Sequence, residues 1–386
     1  MKKLIAATAV MALAAAMMTG CGTGATQTAA ASSAAGTQAG TAESKAESTS
    51  SAETQKTESQ AADTTAAESS GKTYKVGIVQ FVDHPSLNQI EKNLETELDK
   101  LSQEKGVTFD YKDYTFNGQA DGTVLNQIAS QLISDKVDII VPIATPAAQI
   151  VQAAAEGKDI PIVFSAVSDP VSAKLVKSMD APGANITGTS DFLNTNAIMD
   201  LMLAAKPDTD YVGLLYSKSE DSSAVPIADA KKYLDGKGIK YIEKTGTTTD
   251  EVSAAADALV AEGVDAVFTP TDNTIQKAEL AVYEKFANAG IAHYAGADSF
   301  ALNGAFVGYG VDYANLGKAT ADMVSEILTD GKKPAELPVE TFDNGIATIN
   351  TDTCTAIGMK LEDVEAAFKP LCTQIVETKT EKEFSK

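Results

Sequence analysis

Hydroxyls, carboxylates and amides collect just past a series of apolar runs. Gln80 and Asp83-His84-Pro85 follow the first, Thr145-Pro146-Ala147 a later one, and Ser168-Asp169-Pro170 another. Farther on come Ser217-Lys218-Ser219-Glu220, Thr271-Asp272-Asn273 and Asp298-Ser299. Singly, each has an ordinary alternative: Thr145 and Asp272-Asn273 are good helix N-caps, and Asp169-Pro170 is a common turn pair. Together they suit a site for a small polar or amphipathic molecule. They do not suit catalysis. The chain has two His, His84 and His293, and neither lies in a triad or metal spacing. No phosphate loop, dinucleotide-binding glycine motif or nucleophile elbow occurs. His84 beside Asp83 reads as a polar contact or a solvated turn, and His293 as a packed residue. Neither an enzyme nor a cofactor or metal is expected.

The elements that must position these groups alternate regularly. Tyr74–Phe81 reads as a strand, residues 86–105 as a helix with Leu87, Ile90, Leu94, Leu98 and Leu101 on one face, and residues 107–114 as a strand. A helix over 121–135, a fully apolar strand over 137–143, a helix from Thr145 or Pro146, a strand over 160–164 and a short helix over 171–178 follow. The pattern restarts with helices over 196–205, 223–234, 250–262 and 273–289. Strands over 211–216, 239–243, 264–269 and 291–294 alternate with them. Later come strands over 304–311 and 346–350, and helices over 313–328 and 361–368. Such alternation predicts an α/β protein of two Rossmann-like, doubly wound lobes with parallel sheets. Parallel sheets bind ligands beyond their strands' carboxyl ends, so the polar groups line a cleft where the lobes face each other. Thr187-Gly188-Thr189-Ser190-Asp191, short and polar between the two halves, reads as a crossing segment at the cleft floor rather than a core strand.

Composition narrows the partners. The 386-residue chain carries a net charge of −22, which repels nucleic acid and anionic membrane faces. All 31 basic residues are Lys, so no bidentate Arg can grip a ligand carboxylate. Hydroxyls, Lys or helix N-termini must do so. Of Cys21, Cys354 and Cys372, the last two can pair or stay free in a fold this large.

The start of the chain reads as an address. Lys2-Lys3, an apolar run from Leu4 to Met18, then Met18-Thr19-Gly20-Cys21 predict a secretory signal over 1–21, too short to span a membrane. It resembles a bacterial lipobox, implying that Cys21 becomes the lipid-modified first residue. Residues 22–72, rich in Ala, Ser, Thr, Gln and Glu, predict a disordered tether reaching roughly 40 Å. Lobe 1 is then expected over 74–188 plus about 312–335, lobe 2 over 190–310 plus about 337–370, and a frayed tail over 371–386.

Particular stretches sharpen this plan. They are Val76-Gly77-Ile78-Val79-Gln80 with Asp83-His84-Pro85, Ile143-Ala144-Thr145-Pro146-Ala147-Ala148-Gln149, and Pro161 through Pro170. Asn185 through Asp191 and Pro270-Thr271-Asp272-Asn273-Thr274 complete the set. Over residues 74–360 the chain resembles the ABC-transporter substrate-binding proteins of the tryptophan/tyrosine-binding type. That resemblance implies a type I periplasmic-binding-protein-like fold with a multi-segment hinge. It also implies a monomer anchored outside the cell membrane that delivers its ligand to a membrane permease. It suggests an aromatic amino acid as ligand. The carboxylate would then sit near Thr145 to Ala147 and Ser168-Asp169. The ammonium would meet Asp272, Glu220, Asp191 or Asp298. Phe81, Phe164, Phe192, Tyr216 or Tyr309 would flank the ring. Gln80, Thr189, Ser190 and Ser219 complete the expected site. A binding protein for a nucleoside or sugar, and a ligand-presenting sensory lipoprotein, are the alternatives. The lack of Trp speaks against a sugar.

Overall fold

The computed structural model describes residues 71–383. The signal segment, Cys21 and nearly all of the tether lie outside the described residues.

The chain lays down one sheet first. It contains β1 (Thr73–Gln80), β2 (Thr108–Asp110), β3 (Thr115–Asn117), β4 (Ile139–Ile143), β5 (Ile162–Phe164) and β6 (Ile186–Ser190). The helices α1 (Pro85–Lys105), α2 (Gly122–Ser134) and α3 (Thr145–Ala154) alternate with them. Every described pairing among these strands is parallel, with β4 between β1 and β5. All five residues of β4 are buried, as a strand covered on both faces requires.

The second sheet follows the same logic. After α4 (Thr195–Ala205) come β7 (Tyr211–Tyr216), α5 (Ala224–Lys237), β8 (Lys240–Thr245), α6 (Thr249–Glu262) and β9 (Ala266–Thr269). Then follow α7 (Asn273–Asn288), β10 (Ala292–Ala295), α8 (Asp298–Leu302) and β11 (Val307–Gly310). The chain next returns: α9 (Tyr313–Asp330) packs on α1, and β12 (Glu340–Thr341) pairs with β6 at the first sheet's edge. It crosses once more to β13 (Ile346–Asn350), α10 (Thr351–Ala356), α11 (Leu361–Phe368) and β14 (Gln374–Thr378). In the second sheet β13 lies antiparallel to β11, and the other pairings are parallel. The expected fold class, two doubly wound α/β lobes, is the one observed, and residues 191–194, 311–312 and 342–345 join them.

Several elements depart from the sequence expectations. Thr187–Ser190 is a core strand, buried at every position. Its hydroxyls all find partners: Thr189 joins Ser165 and Thr320 in a cluster with separations of 2.9–3.2 Å, Thr187 Oγ1 donates to Leu337 O and Ser190 Oγ to Ser168 O. Gly188 is required there: a Cβ would sit 2.0 Å from the Phe164 carbonyl oxygen, at φ +156. The strand expected over 107–114 is cut short as β2 by a turn closed by Tyr114 N–H to Tyr111 O, and β3, not expected from the sequence, begins beyond it. Residues 171–178 form turns, not a helix, with Lys174 at φ +61. The expected tail contributes β14, which finds an open edge on β13. Cys354 and Cys372 are free thiols.

Candidate functional site

Three strand-to-helix junctions converge between the lobes. Each arises because a parallel strand must turn into a helix at its carboxyl end. His84, just before α1, uses its extended backbone to open that helix with Pro85 at the first position. Thr145 opens α3. Asp272 caps α7 by accepting from Ile275 N–H, and Asn273 begins it.

These residues enclose a cavity with about 20 Å³ of free space, room for roughly one water. His84, Thr145, Ser168, Asp191, Thr271, Asp272 and Asn273 line it. So do Ser299, one of the strand-end groups, and five residues not expected there: Ser86, Leu87, Gln276, Phe300 and Tyr313. Side chains bond directly across the cleft, so the lobes are shut. His84 Nε2 lies 3.0 Å from Asn273 Oδ1, and Ser86 Oγ donates to Asp298 Oδ1 at 2.8 Å. Ser168 Oγ lies 2.9 Å from Thr271 Oγ1, and Gln149 Nε2 donates to Asp221 Oδ2 at 2.8 Å.

Four lining side chains bury a polar atom that has no partner: His84 Nδ1, Thr145 Oγ1, Gln276 Oε1 and Ser299 Oγ. Such atoms cost free energy unless something hydrogen-bonds them, and four in one small cavity point to a polar ligand. The His84 tautomer follows from its neighbours. Glu220 accepts from Asn273 N–H, Asn273 Nδ2 and Thr274 N–H. That orients the Asn273 amide so its Oδ1 accepts from His84 Nε2–H, leaving Nδ1 an acceptor. Burial holds the His84 imidazole down at about 4, so it is neutral at pH 7.

Of the two carboxylates that line the cavity, Asp191 is the less engaged by the protein. Ser168 Oγ donates to it at 3.0 Å and Tyr313 OH at 3.4 Å. Burial pushes its carboxyl up to about 6, so a cationic partner would be welcome. Asp272 by contrast accepts from Ser217 N–H, Ser223 Oγ and Ile275 N–H. Burial, then the nearby Glu220 charge, raise it to about 8. Burial also raises Glu220 and Asp298.

Two lining residues sit in backbone conformations that favour glycine: Ala144 at φ +82 and Ala166 at φ +54. Ala144 directly follows β4 and Ala166 comes just past β5, and both turn their loops into the cleft, a kind of strain common at binding sites.

The remaining expected residues lie elsewhere. Gln80 bonds Asn88 Oδ1 and Val82 O. Ala147 is buried in the core, and Asp169 accepts from Ser172 N–H and Oγ. Thr189 joins the hydroxyl cluster, and Ser190 Oγ donates to Ser168 O. Pro146, Ser219 and Glu220 line a neighbouring pocket. The aromatic residues expected to flank a ligand ring are not in the cavity wall. Phe164 and Tyr309 are core residues, Tyr216 OH donates to Glu243, and Phe192 is exposed. Phe81 faces the neighbouring pocket. The cavity's aromatic residues, Phe300 and Tyr313, stand on helices, where no strand-end signal marks them.

Away from the cleft, His293 bonds Glu279 Oε1 through Nδ1 at 3.0 Å and Thr269 Oγ1 through Nε2 at 2.9 Å. This has the shape of a hydroxyl–imidazole–carboxylate triad. At 0% (Thr269), 1% (His293) and 0% (Glu279) exposure, no substrate reaches it, so it reads as packing. Among the described residues, no group of His, Cys, Asp and Glu is placed to hold a metal ion, and no helix is long and apolar enough to cross a membrane.

Residues 75–367 match the family model described as ABC transporter substrate binding protein. A tyrosine-binding protein from Clostridioides difficile is 34% identical over 79% of this chain and 87% of its own length. An ABC domain from Streptococcus pneumoniae, solved in complex with L-Trp, is 30% identical, with a TM-score of 0.71 over 79% of this chain and 100% of its own. The ligand-free, open structure of a Clostridium difficile substrate binding protein with adhesive properties is 33% identical. It covers 80% of this chain and 100% of its own, yet scores only 0.60. Higher identity with poorer overlap is what different lobe angles produce, and it agrees with the shut cleft.

Proposed function

Since this chain belongs to the ABC transporter substrate-binding protein family, we propose that it captures an aromatic amino acid, tryptophan or tyrosine, between its lobes and hands it to a membrane permease. The observation that carries this reading is the set of four unpartnered polar atoms around a cavity shut by bonds between lobes. Thr145 Oγ1, Ser299 Oγ and the first-turn amides of α3 supply donors for a carboxylate without any arginine. Asp191 supplies a counter-charge for the ammonium, and His84 Nδ1 and Gln276 Oε1 accept further N–H groups. Phe300, Leu87 and the ring of Tyr313 offer the apolar surface. The ligands of two relatives, tyrosine and L-Trp, point the same way.

A space for one water cannot hold an amino acid. Ligand therefore enters when the four bridges across the cleft part, and the bridges form again over it as the lining side chains make room. Titration calorimetry with the twenty amino acids tests the reading. Heat from tryptophan or tyrosine is expected; heat from none of the aromatic amino acids would sink the assignment.

The apolar run ending in Met18-Thr19-Gly20-Cys21 supports a lipid anchor on Cys21, with residues 22–72 as tether and the lobes as a monomer beside the outer membrane face. Palmitate labelling that persists in the Cys21→Ala variant would remove the anchor from this picture.

A further inference from the structure

The cleft has a second compartment. Outside the inner cavity a pocket of about 470 Å³ opens between the lobes. Phe81, Leu125 and Ile150 form its wall on the first lobe, and Thr248, Thr274 and Lys277 on the second. Hollows of comparable size beside Gln103, Glu156 and Glu365 each draw their walls from one lobe. This one exists only while the lobes are shut. The bridge from Gln149 Nε2 to Asp221 Oδ2, 2.8 Å long, closes beside it.

The two walls differ in chemistry. The first is apolar, and its floor carries Ala120 at φ +58, held by its N–H bond to Phe81 O. A non-glycine residue is kept there against its backbone preference. The second wall is hydroxylic and carries one cation. Glu220 also lines the pocket, but the amide and side-chain donors of Asn273 and Thr274 occupy its carboxylate. Lys277 is exposed and has neither a hydrogen bond nor an ion pair in the structure. In a chain of net charge −22, an unpaired lysine at the rim of an apolar pocket is matched to an anion with an apolar body.

We propose that this pocket is a second binding site, for an aromatic or apolar monocarboxylate, which latches the shut form and slows escape of the ligand within. The inference rests on the inner cavity being the ligand site. A molecule that touches both walls binds the shut form and not the open one, so it shifts the population toward closure. By linkage the two ligands then hold each other in place.

Phenylpropionate, which lacks the ammonium that Asp191 would select, is a suitable probe. The chain has no Trp, so release of bound tryptophan can be followed by the ligand's own fluorescence after a chase with phenylalanine. Phenylpropionate is expected to slow that release by about fivefold. Lys277→Gln and Ile150→Gln should each abolish the slowing and leave the rate without probe unchanged. Equal rates with and without probe, or equal slowing in the variants, would overturn the proposal. Should tryptophan itself fail to bind, the aromatic-ligand reading falls, and fluorine NMR of a fluorinated phenylpropionate decides the outer site alone. Line broadening by the native protein that Lys277→Gln removes supports it. Absent broadening, or equal broadening with both proteins, refutes it.

Discussion

His84 Nε2 and Asn273 Oδ1 meet 3.0 Å apart across the cleft, one from each lobe, and Glu220 behind Asn273 decides which way the bond runs. The latch is therefore a relay of neutral imidazole, oriented amide and buried carboxylate. Removing the imidazole with His84→Ala loses one neutral hydrogen bond on closure, about 1 kcal/mol. Ligand affinity should fall about fivefold, with the melting temperature little changed. An unaltered dissociation constant in calorimetry would show that the bridge does not contribute to closure.

Thr145→Val separates binding from folding. The Thr145 hydroxyl is buried without a partner, so replacing it by a methyl of the same shape should leave stability equal or raise it by about 1 kcal/mol. Affinity for an amino acid should drop about tenfold, because the donor is lost. Urea denaturation and calorimetry on the same variant check the two effects, and a loss of stability would mean that the hydroxyl is satisfied after all.

Ala144 should accept glycine gladly. At φ +82 and ψ 153 it occupies a region that is nearly glycine-only. Ala144→Gly should stabilise the protein by about 1 kcal/mol while loosening the loop that aims Thr145. Raised thermal stability with weaker ligand binding is the expected signature.

Acid should weaken ligand capture, through two groups acting in the same direction. Burial raises Asp191 to about 6, so the empty shut protein favours its neutral form, and the charge is a cost above that pH. A bound ammonium needs the ionised form, so binding releases a proton as the pH falls through about 6. His84, held at about 4 by burial, closes only when neutral. Its contribution is full above its open-state value near 6.5 and is lost as pH falls from there toward 4. Calorimetry at pH 5.5 in buffers of different ionisation heat should show proton release, reduced in Asp191→Asn. Asp191→Ala should also weaken binding at least tenfold, with neither lobe unfolding. Unchanged affinity would reduce Asp191 to a hinge residue.

Gly188→Ala tests the packing of the first sheet. The added methyl meets a backbone oxygen, not a side chain that can swing aside. A loss of about 3 kcal/mol is expected in urea denaturation.

Most of the α/β alternation was legible because periodicity and strand-end polarity are local properties. Val137 to Ile143 announced a central strand, and the polar groups after it turned up in the cleft at Thr145. What lay beyond reach depends on partners distant in sequence. Ile186–Ser190 looks too polar for a core strand until Ser165 and Thr320, far along the chain, satisfy Thr189. Tyr313, Gln276 and Phe300 enter the site from helices, and only the tertiary packing reveals which helix faces point inward. Gln374–Thr378 resembles a frayed end because its stability as a strand comes from the open edge of β13.

The contact between α1 and α9 dictates when the first lobe can mature. Gly317 brings the two backbones so near that a Cβ on it would lie 2.4 Å from the Ile90 carbonyl oxygen. The two helices are separated by about 200 residues of chain, a long loop to close before the contact forms. The first lobe, although it is made first, stays without its lid until the whole second sheet save its last strands has emerged. During synthesis the nascent chain thus remains soft at its leading end, a condition that suits a polypeptide still to be threaded through a narrow channel.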